Sequence, residues 1–422
     1  MQFKKTDLSN GIRVVTENHH GSRAVSIGIW VLTGTRDEET QDAGISHFIE
    51  HMVFKGTKSR TAYQIAKSLE QLGGELNAYT SREYTVYHCL LLKDHWKKGL
   101  EILSDLVTNM HMRKDDFELE RSVILQELAM GEDDLEDLIY DIYFENTLPR
   151  SPLGKPILGN IKSIANMKMK QLQSYYLRNY SANNMIIAAA GSVDHHDFSA
   201  AVEEFLGHKK KRRIPVDRVK PVHKPTRMVV EKNSEQIHLC MGLPVTSFRD
   251  RNRFDAFIVN TLLGGGMTSK LYQSVREKRG LVYSIYSSLN TFDDFGCLNI
   301  YAACEKKNMK AVVKTIGQEL NRLKKNKISA HDLELFKTQV KGAVLLGSED
   351  VENRMNSIAV NEMVFGKYKP VETVIEEIEQ VSVKSINEFV SRYVDPAQLA
   401  MIMVGGGVKE LESWFLSAEV GR

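Results

Sequence analysis

An offset of 213 residues relates the two halves of this 422-residue chain. The stretch from Val25-Ser26-Ile27-Gly28 to Thr35-Arg36-Asp37 resembles the stretch from His238 to Phe248-Arg249-Asp250. Far downstream, Tyr176-Leu177-Arg178-Asn179-Tyr180 followed by Met185-Ile186-Ile187-Ala188 resembles Phe389-Val390-Ser391-Arg392-Tyr393 followed by Leu399-Ala400-Met401-Ile402. Two distant matches at one spacing imply a duplicated unit. The length also exceeds what one hydrophobic core sustains, so each copy is expected to close its own core. Hydrophobic periodicity sketches the first copy. Strands are expected over 11–17, 24–33, 75–78, 84–92 and 184–190. Helices are expected from His47 to near Gly56 and over 61–72, 95–110, 115–131, 134–146 and 168–178. The expected class is α+β, with domains at 1–212 and 228–422 and a linker at 213–227. Lys209-Lys210-Lys211-Arg212-Arg213 and three prolines mark the join, and the basic run lacks the interleaved aromatics of a nucleic-acid site.

Within the first copy, Ile45-Ser46-His47-Phe48-Ile49-Glu50-His51-Met52 carries the chemistry. On a helix, His47 and His51 stack on one face with Glu50 beside them. Ile45, Phe48, Ile49, Met52 and Val53 form an apolar stripe on the other side. H-x-x-E-H is the inverted-zincin pattern, yet catalytic zinc needs three protein ligands. Glu127 is the best candidate for the third, on a helix that also carries Glu120 two turns earlier against Val123, Ile124 and Leu128. Carboxylates aimed at a core need a cation, and Glu120 would then orient a ligand histidine. At the repeat offset, His47, Glu50 and His51 fall near Asn260, Leu263 and Gly264. The site was not copied, or was lost, and this asymmetry points to a function confined to the first copy.

Composition narrows the partners. A net charge of +2 gives no global attraction to nucleic acid or membrane. No run approaches a membrane span, and the first residues lack the pattern of a signal or transit peptide. Cys89, Cys240, Cys297 and Cys304 have no paired metal spacing and read as buried thiols. A cytoplasmic protein is the expectation. Gly264-Gly265-Gly266 precedes a helix without P-loop or Rossmann spacing, which argues against nucleotide binding. The acidic run at 132–137 reads as a solvated helix start, or as an attractor of basic side chains.

His47-Phe48-Ile49-Glu50-His51-Met52-Val53-Phe54-Lys55-Gly56-Thr57 resembles the active-site helix of the pitrilysin-type zinc metallopeptidases. The resemblance is nearest to the catalytic subunit of mitochondrial processing peptidase and its bacterial homologues. It extends through Gly73-Gly74-x-x-Asn77-Ala78-Tyr79-Thr80-Ser81, through Pro152-Leu153-Gly154-x-Pro156-Ile157-Leu158-Gly159 and into the second half. In that family the third ligand is a glutamate 76 residues beyond the second histidine, with an acid seven before it; Glu127 and Glu120 match. The resemblance implies two similar domains, each a mainly antiparallel sheet packed with helices. It implies one zinc ion per chain, held by His47, His51 and Glu127. It also implies substrate binding along Asn77-Ala78-Tyr79-Thr80, a segment that the residues alone leave open between an edge strand and an ordinary hairpin. Arg276 and Tyr283 match a pair that reaches the substrate in the family.

The expected activity is zinc-dependent endopeptidase action on extended or unfolded peptides inside a closed chamber, by a homodimer, with Glu50 as general base. A catalytically silent scaffold subunit of the same family is the alternative, disfavoured by the intact His47, Glu50, His51 and Glu127. A small-molecule zinc hydrolase is a third, disfavoured because it needs neither a peptide-pairing strand nor a second large domain.

Overall fold

The computed structural model describes residues 2–212 and 218–418. Residues 213–217, inside the expected linker, lie outside the described residues. The first sheet contains β1 (Gln2–Asp7), β2 (Arg13–Asn18), β3 (Ala24–Val31), β4 (Glu75–Thr80), β5 (Thr85–Leu92) and β6 (Met185–Gly191). Its order is β1-β2-β6-β3-β5-β4, antiparallel except for the parallel β2–β6 pair. The second sheet contains β7 (Arg227–Glu231), β8 (Ile237–Val245), β9 (Ser284–Thr291), β10 (Gly296–Cys304) and β11 (Ala400–Gly405). Its order, β7-β11-β8-β10-β9, repeats the first sheet strand for strand without β1. The duplicated α+β fold expected from the offset is what the chain adopts.

The compact units are not contiguous along the chain. One holds residues 1–129, 155–219 and 346–369; the other holds 130–154, 220–345 and 370–422. Each repeat therefore gives one helix to the other repeat's sheet. Cuts at 212 and 228 separate the repeats, whereas the packed units exchange these helices.

Period-two alternation explains how each sheet is covered on both faces. In the first unit, Ile27, Ile29, Tyr87 and Cys89 pack with Phe48, Ile49 and Leu103 of overlying helices. The opposite face, with Trp30, Val86, Ile186 and Ala188, meets Met355, Ile358 and Ala359 of the helix Val351–Phe365. In the second unit, Leu135, Ile139 and Tyr143 of the helix Leu135–Thr147 pack on Cys240, Tyr301 and Ile402.

A buried ion pair fixes the helix Val351–Phe365 on the first sheet. Arg354 Nε donates to Glu17 Oε1 at 2.7 Å, and Nη2 reaches the other oxygen. The Tyr368 hydroxyl donates to Glu17 at 2.9 Å. Burial alone would raise the Glu17 carboxyl, but Arg354, His19 and Tyr368 together hold it below its usual range. Removing one partner leaves a charge stranded in a dry site. Arg354→Met is expected to destabilise the protein by about 3–5 kcal/mol, read by denaturant unfolding.

Candidate metal centre and active site

The helix Ile45–Val53 starts at a residue only glycine suits. Gly44 has φ of 90°, and a Cβ there would meet Leu158 O at 2.6 Å. The Gly44 and Ser46 amides donate to the Glu38 carboxylate at 2.8 and 2.9 Å. Sequence reasoning missed this anchor, because Glu38 lies six residues before Gly44 with no cap motif between them. Ile45, Phe48, Ile49, Met52 and Val53 are buried, as the apolar stripe requires.

The half-buried side of that helix, with His47 and His51, faces Glu120 and Glu127 of the helix Lys114–Asp133. His51 Nε2 lies 3.4 Å from Glu127 Oε2, and His47 Nε2 lies 3.9 Å from the same oxygen. The three side chains offer ligand atoms that all lie within 4.8 Å of one another. Donors about 2.1 Å from a tetrahedral centre stand about 3.4 Å apart, so the spacing suits zinc. Their chemistry suits it too. Burial, with His51 adding to it, pushes His47 down to about 3, which leaves a neutral imidazole with a free lone pair. His51 Nδ1 lies 3.0 Å from Glu120 Oε2, so the ring donates there and turns its Nε2 lone pair toward Glu127.

Glu120 is itself buried, and the Lys55 ammonium pairs with its other oxygen. Lys55 is four residues beyond His51, one helical turn along, and sequence reasoning gave it no role. Its spacing to His51 was the available signal.

Glu50 lies on the same helix and accepts a 2.5 Å hydrogen bond from the Thr80 hydroxyl at the end of β4. Burial raises the Glu50 carboxyl and Glu127 adds to this, against the Thr80 bond and the His51 charge. A carboxylate with raised proton affinity, beside the histidines and outside their donor set, has the properties of a general base. Among the described residues β4 is a sheet edge that pairs with β5 alone, so one side of its backbone has no strand partner among them. Arg36 donates to Glu83 at 2.6 Å, and the Thr35 and Arg36 amides donate to the Ser81 and Arg82 carbonyls. These bonds brace the turn between β4 and β5.

The structure thus brings His47, His51, Glu127, Glu120, Glu50 and Thr80 together, with Asn77, Ala78 and Tyr79 along the adjoining edge. Arg276 and Tyr283 belong to the second unit. There the Arg276 guanidinium lies 5.0 Å from the Tyr272 ring centre and 5.9 Å from that of Tyr283, which is 75% exposed. Asn260, Leu263 and Gly264 sit on the helix Arg253–Gly264 and offer no comparable donor set. No helix among the described residues is long and apolar enough to cross a membrane.

Comparison with known proteins agrees with this layout. Residues 13–160 match the family described as Insulinase (Peptidase family M16), and residues 166–340 match the Peptidase M16 inactive domain. The chain is 36% identical to a protein named as an uncharacterized zinc protease of Mycobacterium tuberculosis, over 99% of this chain and 97% of the relative. It is 33% identical to the uncharacterized zinc protease YmxG of Bacillus subtilis, over 96% of this chain and 99% of the relative. A crystal structure of a protease from Helicobacter pylori shares the fold, with a TM-score of 0.90 at 21% identity, covering 96% and 99% of the two chains. So does a Pseudomonas fluorescens structure titled as a peptidase M16 inactive domain, at 0.90 and 17%, covering 97% and 99%.

Proposed function

The chain belongs to peptidase family M16, and from that premise we propose that it is a zinc-dependent endopeptidase acting on extended or unfolded peptides. The observation that carries this reading is the convergence of His47, His51 and Glu127 on one point beside Glu50. His47, His51 and Glu127 would hold one zinc ion per chain. When bound, zinc supplies acidification of a water and polarisation of the scissile carbonyl. Glu50 accepts the water's proton and passes it to the leaving amine, with Thr80 fixing its orientation. Asn77-Ala78-Tyr79-Thr80 pairs with the substrate as an added strand, through main-chain hydrogen bonds that are indifferent to sequence. Arg276 and Tyr283 are assigned to a substrate carbonyl and the developing oxyanion, an assignment supported by the family resemblance and the exposed Tyr283 phenol. Homodimerisation and a closed chamber that excludes folded proteins complete the proposal.

The silent-scaffold reading draws on the inactive-domain descriptions: the family match of that name covers 166–340, where Asn260, Leu263 and Gly264 lie, and the Pseudomonas fluorescens structure so titled covers 97% of this chain. Zinc analysis together with hydrolysis of an unstructured peptide pool tests the two. Bound zinc with cleavage supports the peptidase; neither zinc nor cleavage supports the scaffold. The Lys55–Glu120–His51 chain yields a further expected result. Lys55→Met should weaken zinc binding by about 10–100-fold in a chelator competition, and Lys55→Arg should restore most of it.

A further inference from the structure

We propose that Glu38 is the positioning residue of His47, acting through the main chain as Glu120 acts on His51 through its ring. This rests on the zinc reading above and adds a residue outside the donor set. The two histidines are held differently. His51 gives its Nδ1 to Glu120, which Lys55 holds in turn. The Nδ1 of His47 is buried and has no protein hydrogen-bond partner among the described residues. Its ring meets that of His51 edge-on, with centres 4.6 Å apart. A ligand histidine ordinarily donates its second nitrogen to an orienting group. For His47 the orientation has to come from the backbone that carries it.

That backbone is tightly held. Buried Glu38 takes the Gly44 amide on one carboxyl oxygen and the Ser46 amide on the other. These are two of the donors that a helix N-terminus leaves unpaired, and Ser46 directly precedes His47. Ser46 Oγ lies 3.0 Å from the buried Tyr175 hydroxyl. The Ser163 hydroxyl donates to the Ala43 carbonyl at 2.7 Å, and the Lys155 ammonium to the Glu38 carbonyl at 2.8 Å. Gly159, with φ of 75°, lets its loop close on this turn; a Cβ there would meet Ala43 O at 2.4 Å. The rotation of the first helical turn is thereby fixed, and the His47 side chain departs from it. Glu38 also follows Thr35 and Arg36, whose amides brace the β4–β5 turn. One short segment thus sets both the helix bearing Glu50 and the strand end bearing its partner Thr80.

The test compares the wild type with Glu38→Gln, Glu38→Asp and Arg354→Met. Zinc alone is the probe in a chelator competition, and Co2+ is the spectroscopic probe. Glu38→Gln keeps the size of the side chain but turns an NH2 group toward one of the two amides, which loses its acceptor. Zinc affinity should fall about 10–100-fold, and the visible Co2+ bands should shift from those of the wild type. On a cleaved peptide, kcat should fall about 10–100-fold while KM stays, because the edge of β4 is unchanged. Glu38→Asp keeps both acceptor oxygens on a shorter arm and should fall between the two. Arg354→Met destabilises the same unit without touching the metal centre, so it should lower Tm and leave zinc affinity and the Co2+ bands as in the wild type. A folded Glu38→Gln with wild-type affinity and bands would overturn the positioning role. So would an Arg354→Met that reproduces its losses. If Glu38→Gln does not fold, wild-type affinity and bands in Glu38→Asp would overturn it. A wild-type protein that binds no zinc would instead overturn the reading beneath.

Discussion

Glu50→Gln should bind zinc as the wild type does and lose peptide hydrolysis by about 10²–10⁴-fold in kcat. The substitution preserves shape and the Thr80 hydrogen bond, because the amide oxygen still accepts. It removes only the ability to take a proton. Glu50 lies outside the His47, His51 and Glu127 donor set, so metal content should not change. KM should move little, since the edge of β4 is untouched. Zinc content by elemental analysis, with kcat and KM on one cleaved peptide, checks this. Unimpaired hydrolysis would remove Glu50 from the mechanism.

Glu127→Gln should act one step earlier, by releasing the metal. It replaces the only anionic donor of the triad with a neutral amide, and two histidines alone do not make a catalytic zinc site. Zinc occupancy and hydrolysis should fall together. Stability supplies an independent reading. A ligand at about 1,000 times its Kd adds about 4 kcal/mol, so chelation should lower the Tm of the wild type and leave that of Glu127→Gln unchanged. A variant that kept stoichiometric zinc would place the third ligand elsewhere.

Much of this site is legible in sequence because its chemistry is local. His47, Glu50 and His51 occupy adjacent positions of one helix, and Glu120 and Glu127 lie two turns apart on another. The common offset similarly foretold two sheets with the same strand order. What sequence did not disclose was the exchange of helices. Leu135, Ile139 and Tyr143 announce a buried stripe, but periodicity cannot say which sheet the stripe meets. Strand β1 was missed because most of its residues are exposed and polar, so no alternation marks it. The partners of known residues were equally silent. Lys55 on Glu120 and Glu352 beside His88 are tertiary contacts made by side chains, Lys55 and Glu352, that read as ordinary surface residues along the chain, and Thr80 stood out as substrate strand but not as the partner of Glu50.

X-ray absorption at the zinc edge of the purified protein tests the central claim most directly. The account predicts one zinc per chain, bound by two imidazole nitrogens and light oxygen donors at about 2.0–2.2 Å, with no sulfur. Absence of zinc, or a spectrum dominated by sulfur near 2.3 Å, would contradict it.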